Sequence, residues 1–224
     1  LYPGAQMAAH IPNVLAHRYG GPAMVQLWSP EQKVVLERRL WLAVLRAQRD
    51  LGLDVDQQVL DDYEAVVEKV DLESIDERER VTRHDVKARI EEFSALAGHE
   101  QIHRGMTSRD LTENVEQLQV RDAMLIARDR AVAVLVRLSA RAVEHRDTVV
   151  VARSHNVPAQ ATTLGKRFAT CGEELFVALE RLEQLIARYP LRGIKGPVGT
   201  QQDQIDVLGP GSAAESGSND PDKV

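Results

Sequence analysis

Apolar residues recur at intervals of three and four along most of the chain, a pattern typical of amphipathic helices. The first clear run starts at Ser29 and Pro30, which suit an N-cap and a first helical turn, and it continues to Leu51. Further helices are predicted near residues 55–70, from about His84 to Ala97 with Gly98 as the stop, at 107–145 and at 164–186.

The two last helices are long, and the first of them is apolar over more than one stripe in its centre. Such helices need several helical neighbours, supplied by further chain or by other subunits. No strand pattern of any strength is present, since the β-branched run 148–151 is short and isolated. We therefore predict an all-α fold: a small N-terminal helical domain (1–106), the first part of a central long-helix bundle (107–208), and a flexible polar tail (209–224).

Composition narrows the functional classes. The chain has 224 residues, 43% of them hydrophobic and 28% charged, and a net charge of −6, which gives no footprint for nucleic acid or an anionic membrane. No apolar run approaches membrane-spanning length. The single cysteine, Cys171, cannot form an intramolecular disulfide, which fits a reducing, cytoplasmic compartment.

Three segments place a histidine beside hydroxyl or charged groups at predicted helix breaks: 82–86, 103–108 and 154–158. His155 can carry a proton at cellular pH, although a polar connector is the plainer interpretation of this residue alone. Thr107 and Ser108 open a helix, where free N–H groups attract anions, although N-capping with Asp110 is the commoner explanation.

Two further groups could bind an anionic substrate. Arg83, His84 and Asp85 combine a bidentate anion binder, a titratable ring and a carboxylate, although Asp85 also suits the dipole of a helix start. Arg18 and Tyr19 place a cation and a phenol before a Gly-Gly-Pro turn, where chance surface residues are the alternative.

Two pattern matches are weaker. Residues 99–103 read His-Glu-Gln-Ile-His, the zinc-protease pattern, but Gly98 and Gly105 bracket them and Arg109 stands where a third histidine ligand would fall. Glycines at 193, 196 and 199 favour a tight turn after a helix over a phosphate loop, because the Gly-Lys-Ser/Thr ending is missing. No metal and no cofactor is expected.

Taken together, several segments over about residues 11–208 occur in the order of one family. They are Ile11-Pro12-Asn13-Val14-Leu15 with Arg18-Tyr19, Thr82-Arg83-His84-Asp85-Val86, Gly105-Met106-Thr107-Ser108-Arg109-Asp110, Arg153-Ser154-His155-Asn156 with 158–167, and 192–200. The sequence resembles the adenylosuccinate lyase family of the fumarase/aspartase superfamily.

The resemblance implies a fumarase/aspartase-like helical fold, only part of which this chain covers, and a β-elimination that releases fumarate from adenylosuccinate or the related succinyl-carboxamide ribotide. By position, His155 resembles the general acid. Arg18 and Tyr19 would hold the nucleotide end, and Thr107 and Ser108 would bind a succinyl carboxylate. The remaining pocket residues would be Arg83, His84, Asp85, His103 and Ser154. The expected partners are the nucleotide substrate, AMP, fumarate and a homotetramer, with no nucleic acid and no membrane.

One departure is large. The family's Gly-Ser-Ser-x-Met-Pro-x-Lys-x-Asn-Pro loop, which carries the serine base, has no match in this sequence. We therefore expect only the N-terminal portion of such an enzyme, without lyase activity on its own. A non-catalytic remnant or helical interaction module, and another fumarate-releasing lyase of the superfamily, are the alternatives.

Overall fold

The computed structural model describes residues 13–209. The tail predicted beyond Gly209 and the Ile11-Pro12 start of one motif lie outside the described residues. The elements, in chain order, are α1 (Val14–Tyr19), α2 (Pro22–Leu27), α3 (Pro30–Asp50), α4 (Gln57–Val66), α5 (Leu72–Thr82), α6 (Asp85–Ala97), α7 (Ser108–Glu144), β1 (Val149–Ser154), β2 (Val157–Thr163), α8 (Leu164–Ala187) and α9 (Gln202–Leu208).

The main predicted helices are confirmed, together with their end signals. The Ser29 hydroxyl accepts a hydrogen bond from the Gln32 amide at 3.2 Å, and Pro30 occupies the first turn of α3. Helix α6 ends at Gly98, whose φ of 76° lies in the left-handed region that glycine enters without steric cost. The predicted all-α class also holds, apart from one two-stranded sheet.

The described chain divides into two units, residues 13–119 with 191–209, and residues 120–190. The core of the first unit forms where α3, α4 and α6 bring their aromatic residues together. Phe93 lies 4.9 Å from Tyr63 and 6.2 Å from Trp41, measured between ring centroids. These three side chains are fully or almost fully buried, so each removes a large apolar surface from water.

A charged group also lies in that core. Arg38 of α3 is fully buried, donates to the carbonyls of Val66 and Val67 at 2.9 Å each, and pairs with Glu92 of α6. Its guanidinium carbon lies 4.7 Å from the centroid of the Phe93 ring. Burial lowers the pKa of Arg38 and Glu92 opposes that shift, so a paired cation joins α3 to the end of α4 and to α6.

The second unit contains strands that the sequence analysis did not predict. The segment predicted as a helix break at 147–158 forms an antiparallel hairpin, in which Val149 pairs with Thr163 and Ser154 with Val157. The hairpin leads straight into α8, whose first amides donate to the end of α7: Leu164 N–H to Thr148 O and Gly165 N–H to His145 O, each at 2.9 Å.

Helices α7 and α8 leave much apolar surface uncovered within the second unit. Val136 is 64% exposed and Phe176 is 51% exposed, and a groove of about 470 Å³ runs between the two helices past Leu138 and Phe168. This confirms the expectation that the two helices cannot bury their apolar faces against one another.

Candidate active site

Two of the three histidine segments meet in the first unit. His84 is the N-cap of α6, where its Nδ1 accepts a hydrogen bond from the Lys87 amide at 3.3 Å. Because Nδ1 is an acceptor, the proton of the neutral ring lies on Nε2. That atom lies 3.4 Å from the Ser108 hydroxyl, in the first turn of α7. The starts of two helices therefore face each other across one imidazole ring.

Backbone geometry at this junction is constrained. Arg83 ends α5 with φ at 52°. This left-handed conformation is energetically unfavourable for any residue other than glycine. The Thr82 hydroxyl holds the junction by donating to the His84 carbonyl at 3.1 Å and accepting from the His84 amide at 3.4 Å. The guanidinium of Arg83 belongs to an exposed residue, so it remains accessible to an anion.

Asp85 follows in the first turn of α6. Its Oδ1 lies 3.5 Å from His84 Nδ1, and its Oδ2 accepts a hydrogen bond from Arg89 Nη2 at 2.6 Å. Burial favours a higher pKa for Asp85, but the Val86 amide and Arg89 outweigh it and hold the pKa below its usual value. Asp85 is therefore a carboxylate at neutral pH.

His103 lies in the connection before α7 and has φ at 64°. The Trp41 indole N–H donates to His103 Nδ1 at 2.9 Å, which again leaves the proton on Nε2. Burial lowers the pKa of His103 to about 4; Asp110 partly offsets this shift and His84 adds to it. His103 is thus a neutral donor, unable to supply a proton as an acid at neutral pH.

The start of α7 is anchored by Asp110, which is fully buried. Its carboxylate accepts hydrogen bonds from the Thr107 amide at 3.0 Å and the Lys195 amide at 2.9 Å, and it pairs with Arg192. The Thr107 bond is one half of the predicted capping arrangement. The bonds from residues 192–196 were not predicted, and they attach the glycine-rich turn to the start of α7.

The glycine-rich turn has further contacts with α7. The Asn114 amide donates to the Gly193 carbonyl at 3.0 Å and accepts from the Gly193 N–H at 2.9 Å. The Arg192 Nε lies 2.9 Å from a Glu113 oxygen. The prediction of a tight turn after a helix is confirmed, since Gly193, Gly196 and Gly199 all have positive φ.

His155 lies in the second unit, at the tip of the hairpin. His155 and Asn156 form the two-residue turn with φ of 50° and 63°, the two successive positive values of a type I′ turn. Arg153 Nη1 donates to the Asn156 carbonyl at 3.0 Å, which fixes the turn from one side. Ser154 ends β1 beside it, and both Ser154 and His155 are exposed.

Arg18 and Tyr19 end the short helix α1, which Asn13 caps by accepting from the Leu15 and Ala16 amides at 2.9 and 3.1 Å. Both are exposed, Tyr19 by 78%, and no hydrogen bond or ion pair joins them to the other candidate residues within the described chain.

The zinc-protease pattern has the wrong geometry. His99 and His103 follow the end of α6 and are not on a helix. His99 Nε2 bonds to Asp62 at 2.7 Å, and His103 Nδ1 is occupied by Trp41. Residues 13–209 contain no group of three His, Cys, Asp or Glu side chains suited to a metal ion.

A cavity of about 660 Å³ lies in the first unit along α6 and the connection that follows it, lined by Arg78, Lys87 and Ser94 among others. None of the residues proposed to bind substrate lines it. Among the described residues, no helix has the length and apolar character needed to cross a membrane.

Comparison with known proteins decides the family. The sequence profile described as Lyase matches residues 24–203, more than half of the chain. The chain belongs to this lyase family. Relatives named adenylosuccinate lyase include that of Schistosoma mansoni, 31% identical over 88% of this chain and 42% of the relative. That of Methanothermobacter thermautotrophicus is 36% identical over 82% of this chain and 42% of the relative.

Two solved structures agree with this chain in fold. Fumarate lyase from Mesorhizobium sp. BNC1 is 25% identical with a TM-score of 0.72, covering 85% of this chain and 45% of that one. A β-carboxy-cis,cis-muconate cycloisomerase from Acinetobacter calcoaceticus, at 20% identity and a TM-score of 0.75, shows the fold alone. The chain spans about two fifths of the length of the curated lyase relatives it matches.

Sequence reasoning overlooked two anchoring residues in this lyase chain. Asp110 was predicted only as a capping partner and Arg192 was given no role, yet they pair across 82 positions of sequence. The only signal in the sequence was that Asp110, a charged residue, falls one turn into an apolar helix at a position where a buried side chain is expected. Both residues position the start of α7, where Asp110 is fully buried and the Arg192 side chain is 17% exposed.

Proposed function

We propose that this chain supplies part of the active site of an adenylosuccinate lyase. The observation that carries the proposal is the 3.4 Å contact between His84 Nε2 and Ser108 Oγ, in a chain of the lyase family. It joins a titratable, arginine-flanked ring to a helix N-terminus that bears hydroxyls. A substrate with carboxylates and a phosphate needs this combination of groups.

The reaction would be a β-elimination. A base removes a proton from the succinyl carbon next to a carboxylate, the C–N bond breaks, the departing nitrogen takes a proton from an acid, and fumarate and AMP leave. The succinyl-carboxamide ribotide would react in the same way. His155 is the proposed acid, because its imidazole is exposed on a constrained hairpin turn and imidazole is the side chain that most often serves as a general acid.

The other candidate residues would bind substrate. Thr107 and Ser108 would hold a succinyl carboxylate at the start of α7. His103, kept neutral by burial, would donate from Nε2 without adding charge. The rest of the pocket would be formed by Arg18, Tyr19, Arg83, His84, Asp85 and Ser154.

The wider setting is also proposed. The N-terminal helical domain would end near residue 106 and the bundle domain would follow it to residue 208. The exposed apolar residues of α7 and α8 support assembly with further helices, in a homotetramer. A cytoplasmic location is consistent with a single cysteine.

Ligand binding tests the proposal directly. Calorimetric titration of the chain with AMP and with adenylosuccinate should give saturable binding, which Ser108→Ala weakens and Thr170→Ala, an exposed hydroxyl on α8, leaves unchanged. No binding of either nucleotide by a chain of native helical content would overturn the proposal. Fumarate release followed by absorbance should be undetectable with the chain alone, because the serine base is missing from the sequence.

A helical interaction module is the second candidate, and the exposed Val136 and Phe176 favour it. Light scattering after size-exclusion chromatography separates the two: a defined oligomer without nucleotide affinity indicates the module. A third candidate, another fumarate-releasing lyase, would bind a different succinyl compound in preference to adenylosuccinate.

A further inference from the structure

Glu37 of α3 is fully buried, and none of the machinery described so far uses it. Its Oε2 lies 2.7 Å from Arg89 Nε, close enough for an ion pair. The alignment does not suit a hydrogen bond, so neither carboxylate oxygen has a hydrogen-bond partner in the described part of the chain. A buried carboxylate so poorly satisfied costs stability, which suggests that its position serves another purpose.

Arg89 connects this carboxylate to the candidate site. Its side chain is only 12% exposed, and its Nη2 donates to Asp85 Oδ2 at 2.6 Å. Asp85 lies in turn 3.5 Å from His84. One guanidinium therefore joins a fixed carboxylate in the core to an exposed carboxylate at the start of α6, on the side of the ring opposite Ser108.

We propose that Glu37 and Arg89 are positioning residues: Glu37 holds Arg89 in place, and Arg89 fixes Asp85 and with it the first turn of α6, which His84 caps. The proposal rests on the proposed function, since His84 is there a substrate-binding residue. A guanidinium has five donors in a rigid plane, so it can hold two carboxylates in one geometry. A flexible exposed arginine would not do this, because it would lose side-chain entropy to hold Asp85.

The surrounding charges support this role. Burial raises the pKa of Glu37 to about 7, while Arg89 and Lys33 oppose the shift and Asp85 and Glu116 add to it. The carboxylate that holds Arg89 is therefore partly protonated at neutral pH and fully charged above it. Positioning of Asp85 should accordingly be firmer at pH 8 than at pH 6.

Amide hydrogen exchange measured by NMR tests the proposal without any ligand. The Lys87 amide donates to His84 Nδ1, so its exchange rate reports whether the ring is held. Glu37→Leu should speed Lys87 exchange by about three- to tenfold, the effect of losing a charged contact. Glu37→Gln keeps the size of the side chain but removes the charge of the ion pair, so it should speed Lys87 exchange by a factor between that of the wild type and that of Glu37→Leu.

Leu42→Ala is the matched control, since it removes buried volume from α3 without touching Glu37, Arg89 or Asp85. It should lower stability and leave Lys87 exchange unchanged. The proposal is overturned if Glu37→Leu leaves Lys87 exchange at the wild-type rate, or if Leu42→Ala accelerates it equally.

Affinity for AMP gives the functional readout. Glu37→Leu should weaken AMP binding by about three- to tenfold, with Glu37→Gln intermediate, and wild-type affinity in Glu37→Leu would contradict a role in the site. If the wild-type chain fails to bind AMP, the proposed function fails. Lys87 exchange then still decides whether Glu37 and Arg89 hold the start of α6.

Discussion

The Trp41 indole N–H donates to His103 Nδ1 at 2.9 Å, and this bond determines which form of the imidazole the candidate site contains. A ring that accepts at Nδ1 carries its proton on Nε2 and donates from there. The fold thus uses a core tryptophan to set the tautomer of a residue in the connection before α7. His103 and His155 consequently differ in setting, because burial keeps His103 neutral beside Trp41 whereas His155 is exposed on the hairpin turn.

We expect His103 to remain the neutral Nε2–H tautomer from pH 5 to pH 8, since burial lowers its pKa to about 4. Nitrogen-15 chemical shifts of the two ring atoms report the tautomer directly. Trp41→Phe removes the indole donor and should produce a mixture of tautomers. A charged His103 ring at pH 6 in the wild-type chain would contradict the prediction.

Asp110→Asn should free the glycine-rich turn from the start of α7. The carboxylate accepts from Thr107, Lys195 and Arg192, and an amide cannot accept from all of these donors or neutralise the arginine. We expect a loss of about 2–4 kcal/mol in the free energy of unfolding, measured in urea. Glu113→Gln removes the outer contact of Arg192 and an exposed pair with Arg109, and it should cost less than about 1 kcal/mol.

The stability lost in Asp110→Asn should depend on pH in one direction. Burial raises the pKa of Asp110, but this effect is outweighed by hydrogen bonds from the Lys195 and Thr107 amides, Arg192 and the Gly196 amide. The pKa of Asp110 in the folded chain is therefore below its unfolded value. The stabilisation is therefore fully present above the unfolded pKa of about 3.9 and is lost as pH falls through the folded pKa. The stability difference between wild type and Asp110→Asn should shrink below pH 4.

Helices and strands could be predicted from the sequence where one of their faces is buried and therefore apolar. Helix α3 has a continuous buried stripe from Val34 to Leu45, and its pattern was unmistakable. Helix α5 buries only Ile75, so its 11 residues show almost no helical periodicity. Strand β2 is mostly exposed on both faces and lacks the alternation that marks a half-buried strand.

The candidate site likewise contains features that could be predicted from the sequence and features that could not. Local features were predictable, since the hydroxyls at 107 and 108 and the acidic partner at 110 follow capping rules that operate within four residues. Contacts between distant residues were not, because pairs such as Trp41–His103 and Glu37–Arg89 depend on how helices pack. The type I′ turn at His155 was missed because neither turn position is glycine.

Glu37→Gln should stabilise the chain at pH 8 more than at pH 5. Burial raises the folded pKa of Glu37 to about 7 from an ordinary value of 4.5, so ionising it in the folded state costs free energy. That cost grows as pH rises from 4.5 to 7 and reaches about 3 kcal/mol above it. The lowered pKa of His103 makes its own cost to stability fall as pH rises over nearly the same range. The stability of each variant must therefore be compared with that of the wild type at the same pH.

Gly165→Ala should destabilise the second unit, and Gly172→Ala should not. A Cβ at Gly165 would lie 2.4 Å from the Ala142 carbonyl oxygen and 2.7 Å from the Arg146 nitrogen, both backbone atoms at the end of α7. The helices would have to separate, at a cost of about 1–3 kcal/mol.

A Cβ at Gly172, in the same helix, would meet only the Leu138 Cβ at 3.9 Å. There alanine should stabilise by about 0.5–1 kcal/mol, because it restricts the unfolded chain. Thermal unfolding of the two variants measures both signs, and equal effects would show that the close approach of α8 to α7 is not a constraint.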